Sequence, residues 1–121
     1  MARLPLEGVR VVEFCPVWAG PFCGMLLADW GAEVIRVESR QFFPVYTRGV
    51  FMARPPRMMI AGIPAGYAAY MIEGYDPTAT PWNRFSLFNA HARNKLSMTV
   101  DLRRPEGKEI FKRLVAKSDV L

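Results

Sequence analysis

The stretch "AGPFCGMLLADWGAEVIRVE", residues 19–38, decides the fold. Pro21 stands where a first helical residue is expected, since its fixed φ and missing N–H cost nothing there. The apolar run over residues 22–30 has the composition of a buried helix. Gly31 follows at the position where helices commonly end in the left-handed conformation. Val34, Ile35 and Val37 are the β-branched residues that make residues 33–38 a strand ending at Glu38. Just upstream, Val9, Val11, Val12 and Phe14 mark residues 9–14 as a mostly buried strand, closed by Cys15 and Pro16. The order is β-α-β, which forms a parallel strand pair with a right-handed crossover.

Residues 39–94 read differently. They carry most of the prolines and no sustained periodicity, so they are expected to form an irregular excursion with one short helix at residues 63–72. Regularity returns over residues 95–121. Residues 96–102 alternate as a third strand, and Pro105 opens a helix with Glu106 in its first turn. Ile110, Phe111, Leu114 and Val115 supply that helix with an apolar face, and Lys112, Arg113 and Lys117 suit its C-terminal end. Residues 118–121 begin what reads as a fourth strand. The expectation is an α/β protein with a Rossmann-like parallel sheet (β-α-β … β-α-β), in one partial domain of three regions, 1–38, 39–94 and 95–121.

Composition narrows the function classes. The chain has 121 residues, 51% of them hydrophobic, and a net charge of +5, so it suits a globular fold and an anionic ligand. Its basic residues come singly or in pairs, which argues against nucleic acid as a partner. Cys15 and Cys23 have no second cysteine or histidine pair, so no metal site is expected, and both read as small core residues of a cytoplasmic protein. The N-terminus lacks a signal-peptide pattern. The apolar region at residues 58–72 is broken by Gly62, Pro64 and Gly66 and is too short to cross a membrane.

A strand-to-helix turn offers free N–H groups to a phosphate. Glu38 stands near where a dinucleotide-binding protein places its ribose-binding acid. Yet G-x-G-x-x-G is absent: the turn has Gly20 and Gly24, while bulky Val17 and Trp18 fill its tight part. That argues against NAD or FAD. His91, the single histidine, has no nucleophile beside it and reads as a loop residue, with a minor role near substrate as the alternative.

Several blocks then occur in a recognisable order. They are Pro5-Leu6-Glu7-Gly8, Ala19-Gly20-Pro21, Gly31-Ala32-Glu33-Val34-Ile35 through Glu38, and Asn94-Lys95-Leu96-Ser97 through Asp101-Leu102. Together they resemble the N-terminal part of the class III CoA-transferases, a family that also includes α-methylacyl-CoA racemases. The resemblance covers both ends of the chain and says little about residues 41–89. It implies that Trp18 and Ala19, with Val100, Asp101, Leu102 and Arg103, border the nucleotide end of coenzyme A. Arg103, with Arg104 and either Arg36 or Arg40, would give forked donors to the phosphates, and Trp18 would cover the base.

The resemblance also implies a reaction. An aspartate carboxylate attacks an acyl-CoA thioester, a mixed anhydride and then an enzyme thioester follow, and the acceptor acid takes the CoA. In the family that aspartate lies beyond the matched region. Asp29, Asp76, Asp101 and Asp119 do not match it, so no catalytic residue is assigned here. Coenzyme A and acyl-CoA enter as substrates with a carboxylic acid, no cofactor is tightly bound, and the family implies an intertwined homodimer. Two alternatives remain: an acyl-CoA racemase or isomerase of the same family, and a non-catalytic truncated module for nucleotide binding or assembly.

Overall fold

The computed structural model describes residues 3–15, 18–39 and 86–121. Strands β1 (Arg10–Glu13), β2 (Glu33–Glu38) and β3 (Lys95–Thr99) form a parallel sheet in the order β1-β2-β3. The helices are α1 (Ala19–Asp29), α2 (Ser86–Ala92) and α3 (Pro105–Val115). Val11 lies opposite Val34, which lies opposite Lys95, and Glu13 lies opposite Arg36, which lies opposite Ser97. The expected fourth strand is present as one parallel bridge, Val120 to Val11. There the Asp119 N–H donates to the Arg10 carbonyl at 2.8 Å and the Val12 N–H to the Val120 carbonyl at 2.9 Å. The sheet therefore runs β3-β2-β1 and then residues 118–121, so its winding reverses direction beside β1. This is the Rossmann-like order, with its switch point at the carboxyl end of β1.

Helix α1 starts earlier than the proline suggests. The Trp18 carbonyl already accepts the Phe22 N–H at 2.9 Å, so Pro21 is the third helical residue. Its missing N–H is harmless there too, because the first four N–H groups of a helix have no helical partner. The helix is not buried all round, as its composition implied. Pro21, Gly24, Met25 and Ala28 face the sheet, whereas Phe22, Leu26 and Trp30 are exposed and extend a stripe that Trp18 begins. Both cysteines are exposed free thiols rather than core residues. Cys15 lies past the last residue of β1, and Cys23 faces away from the sheet on α1. Gly31 ends the turn after α1 with φ of 102°, the left-handed conformation expected of it.

The core is small and sits at the amino-terminal half of the sheet, where Val11 and Val34 pack against Ala28 and Ala32. The opposite face of the sheet is covered differently. Phe14 follows Glu13 and so alternates to that face, where its ring lies 5.5 Å from Phe111 of α3. With α1 on one face and α3 on the other, the sheet is wound on both sides. Helix α3 begins at Pro105 as expected, with Glu106 in its first turn and Lys112 and Arg113 in its last. Its expected apolar face is only partly covered, since Ile110 is exposed while Phe111, Leu114 and Val115 are half-buried.

The third strand ends at Thr99 rather than residue 102, so Val100, Asp101, Leu102 and Arg103 form the turn into α3. Helix α2 is a regular element at the end of residues 39–94, where the expectation was an irregular excursion with one short helix at residues 63–72. Its sequence, SLFNAHA, is short and has no apolar period, so tertiary contacts hold it rather than local preference. His91 packs near the rings of Trp18 and Phe22, at 6.2 and 6.0 Å between centroids. The Asp29 carboxylate, at the end of α1, accepts from Arg93 and from Asn94, each at 2.7 Å, and anchors the α2–β3 turn. The Arg93 hydrogen bond holds the Asp29 carboxyl below its ordinary value of 3.8. The helix expected at residues 63–72 lies outside the described residues.

Candidate functional site

Side chains alternate along each strand, so Val11 and Glu13 share a face with Val34, Arg36 and Glu38, and with Lys95 and Ser97. Along that face the chemistry changes. The amino-terminal half is apolar, and the carboxyl half carries charge. Carboxyl ends of the strands are where open α/β sheets bind ligands.

The charged half is buried. The Lys95 and Glu13 side chains are 2% and 4% exposed and their ammonium and carboxylate meet at 2.5 Å. Arg36 Nη1 lies 3.6 Å from Glu13 Oε1, and Arg36 Nε lies 3.4 Å from Glu38 Oε1. Ser97 Oγ donates to Glu38 Oε2 at 2.6 Å. Two carboxylates thus face two cations, which is the condition for burying charge at all. The Phe88 ring of α2 covers Arg36, with the guanidinium carbon 5.3 Å from its centroid. Burial pushes the Lys95 ammonium below the usual lysine value of 10.5, while the Glu13 hydrogen bond pulls it back up.

This network reaches the strand-to-helix turn. Lys95 Nζ also donates to the Pro21 carbonyl, in the first turn of α1, at 2.7 Å. Gly24, one helical turn on, leaves the space in which the Glu13 carboxylate lies, and a Cβ there would overlap Glu13 Oε2. At Gly20 a Cβ would overlap the Cys15 side chain, so the turn closes tightly on itself.

The residues expected to contact coenzyme A fall at one edge. Trp18 and Ala19 lie at the carboxyl end of β1, both exposed. Val100, Asp101, Leu102 and Arg103 leave the carboxyl end of β3, two strand spacings or roughly 10 Å away. Arg103 is exposed and is held in a fork: its Nε donates to Asp101 Oδ1 at 3.1 Å and its Nη2 to Asp101 Oδ2 at 3.2 Å. The Arg103 backbone N–H also donates to Asp101 Oδ1 at 3.1 Å. Asp101 therefore orients this guanidinium and raises its already high pKa. Arg104 is exposed beside Glu106. The expectation that Arg36 donates to phosphate is corrected, because Arg36 is buried and committed to Glu13 and Glu38. The alternative position, Arg40, lies outside the described residues. Glu38 accepts from Ser97 and pairs with Arg36 inside the fold, so it is engaged internally rather than set out for a ribose.

Sequence reading missed Glu13, Lys95 and Gly24 as parts of the site. A signal for the first was present, since a charge inside the run Val11-Val12-Glu13-Phe14 demands a partner if the sheet is covered. Nothing local identifies Lys95 as that partner, since they lie far apart in the chain.

The sequence matches CoA-transferase family III over residues 6–121. It is 40% identical over 118 residues to a succinyl-CoA–D-citramalate CoA-transferase of Chloroflexus aurantiacus, covering 97% of this chain and 22% of that protein. It is 36% identical over 116 residues to a formyl-CoA:oxalate CoA-transferase of a Bradyrhizobium species, covering 96% of this chain and 21% of that protein. A crystal structure of a CAIB/BAIF family protein from Brucella suis superposes with a TM-score of 0.65 at 35% identity, covering 98% of this chain and 25% of that one. The chain thus spans about a fifth to a quarter of the length of these relatives. It belongs to CoA-transferase family III.

Proposed function

We propose that this chain supplies part of the coenzyme A-binding surface of an enzyme that moves CoA between an acyl-CoA and a carboxylic acid. The observation that carries the reading is the shared edge: the turn bearing Trp18 and Ala19 and the turn bearing Arg103 both open at the carboxyl ends of parallel strands. Coenzyme A is long enough to span both, with an adenine for Trp18 to cover and phosphates for Arg103 to meet. The family membership and the named activities of the relatives support the same substrate class. The reading also takes the protein as a cytoplasmic homodimer without a tightly bound cofactor. The exposed stripe Trp18, Phe22, Leu26 and Trp30 is apolar surface for which a partner, or the rest of the protein, supplies a cover.

Arg103→Ala tests the site. In the whole protein it should weaken CoA binding about tenfold by calorimetry, through loss of a charge-assisted hydrogen bond to phosphate. The same affinity in both proteins would remove Arg103 from the surface. The acyl-transfer carboxylate is assigned to a part of the protein outside these residues. A homogeneous preparation of the 121-residue chain should accordingly leave an acyl-CoA and acceptor acid unchanged. Sustained turnover by it would place the nucleophile within the chain instead.

A further inference from the structure

Residues 14–18 connect β1 to α1, and Trp18 and Ala19 stand where the connection becomes the helix. Glu13 is the last residue of β1, and Pro21 lies in the first turn of α1. One group touches both. The Lys95 ammonium, reaching from β3, donates to Glu13 Oε2 at 2.5 Å and to the Pro21 carbonyl at 2.7 Å. We infer that Lys95 is a positioning residue for the β1–α1 turn: a single buried ammonium ties the last residue of β1 to the first turn of α1 and sets how Trp18 and Ala19, which lie between them, are presented at the edge of the sheet.

Three observations support a positioning role over mere charge pairing. Arg36 already lies beside Glu13, so a cation for that carboxylate does not by itself require Lys95. Pro21 offers a neutral carbonyl, so the bond from Lys95 to it balances no charge. Lys95 also stands opposite Val34 in register, two positions short of the level of Glu13, so its extended side chain must run along the sheet to reach its two acceptors. Gly24 keeps that path open, since a Cβ there would lie 3.2 Å from Lys95 Nζ as well as overlapping Glu13. The inference that this positioning serves coenzyme A rests on the function proposed above.

The test uses the whole protein and the double variant Glu13→Gln with Lys95→Met, which removes one negative and one positive charge together. Buried pairs replaced as a unit keep much of their stability, so the fold is retained while the bridge is lost. Hydrogen exchange at the Phe22 amide reports the turn, because that N–H closes the first turn of α1 on the Trp18 carbonyl. The Trp30 amide, bonded to Leu26 at the other end of α1, is the control. Exchange at Phe22 should accelerate about tenfold, that at Trp30 should stay unchanged, and the dissociation constant for coenzyme A should rise about tenfold. Unchanged exchange at Phe22, or equal acceleration at both ends, would overturn the positioning role. If that double variant does not fold, Glu13→Leu with Lys95→Met, which replaces the pair by apolar side chains of similar volume, gives the same readout. Acceleration of about tenfold confined to Phe22 is again expected. Wild-type protein that binds no coenzyme A would sink the ligand reading alone, and the exchange comparison would still decide the role of Lys95.

Discussion

Lys95→Met alone should destabilise the protein by about 3–5 kcal/mol, the range for breaking a buried ion pair from one side. The methionine side chain fills nearly the same volume, so packing is not the main loss. The loss is of donors. Glu13 Oε2 and the Pro21 carbonyl would both be left without the Lys95 hydrogen bonds, in a place where the Glu13 side chain is 4% exposed. Arg36 offsets only part of this, because its Nη1 faces the other carboxylate oxygen at 3.6 Å. Denaturant unfolding of the variant beside wild type measures the difference. A change below about 1 kcal/mol, the size typical of exposed ion pairs, would mean that the pair behaves as a surface contact.

The pH dependence separates charge from hydrogen bonding at the same residue. Burial holds the folded-state pKa of Lys95 below its ordinary value of 10.5. Between the lowered value and the ordinary one, the unfolded chain binds more protons than the folded chain, so the stability contributed by this group rises with pH across that window. The amine still donates to Glu13 and Pro21 when neutral, so raising the pH keeps both bonds. Lys95→Met should abolish the slope and lower the stability at every pH.

Much of the fold was legible because it is written locally. Residues 33–38 show their strand through Val34, Ile35 and Val37, and Gly31 and Pro105 punctuate their helices through backbone geometry that few other residues share. What stayed hidden depends on partners distant in sequence. Helix α2 has no period of its own and is held by contacts that Phe88 and His91 make with Arg36, Trp18 and Phe22. The exposure of Cys15 and Cys23 follows from which face of α1 meets the sheet, and an all-apolar helix does not declare that face. The site divides in the same way. The family blocks singled out Trp18, Ala19 and Arg103 as proposed contacts, whereas Glu13 and Lys95 become a pair only once β2 lies between them. Arg36 was misassigned for the same reason, because only the register reveals that Glu13 stands opposite it.

Gly107→Ala should destabilise the protein by about 1–3 kcal/mol, the usual cost of overpacking a tight contact. Helix preference alone predicts the opposite, since alanine is favoured over glycine inside a helix by about 1 kcal/mol. Geometry decides between them. Gly107 is buried in the first turn of α3, and a Cβ there would overlap the Asp101 carbonyl oxygen and lie 3.3 Å from Val100 Cγ2. The obstacle is backbone, so no side chain can swing away, and the first turn of α3 must shift relative to the β3–α3 turn. That turn is where Asp101 grips Arg103 through its guanidinium and its backbone N–H. The displacement should therefore reach function as well as stability: the KM for acyl-CoA should rise while kcat changes little, because the reacting carboxylate is assigned elsewhere in the protein. Lys108→Ala, at an exposed neighbouring position of the same helix, provides the contrast and should leave both quantities near wild type. A stabilised Gly107→Ala protein would show that α3 has room to move away from Asp101, and the tight seat assigned to Arg103 would then be wrong.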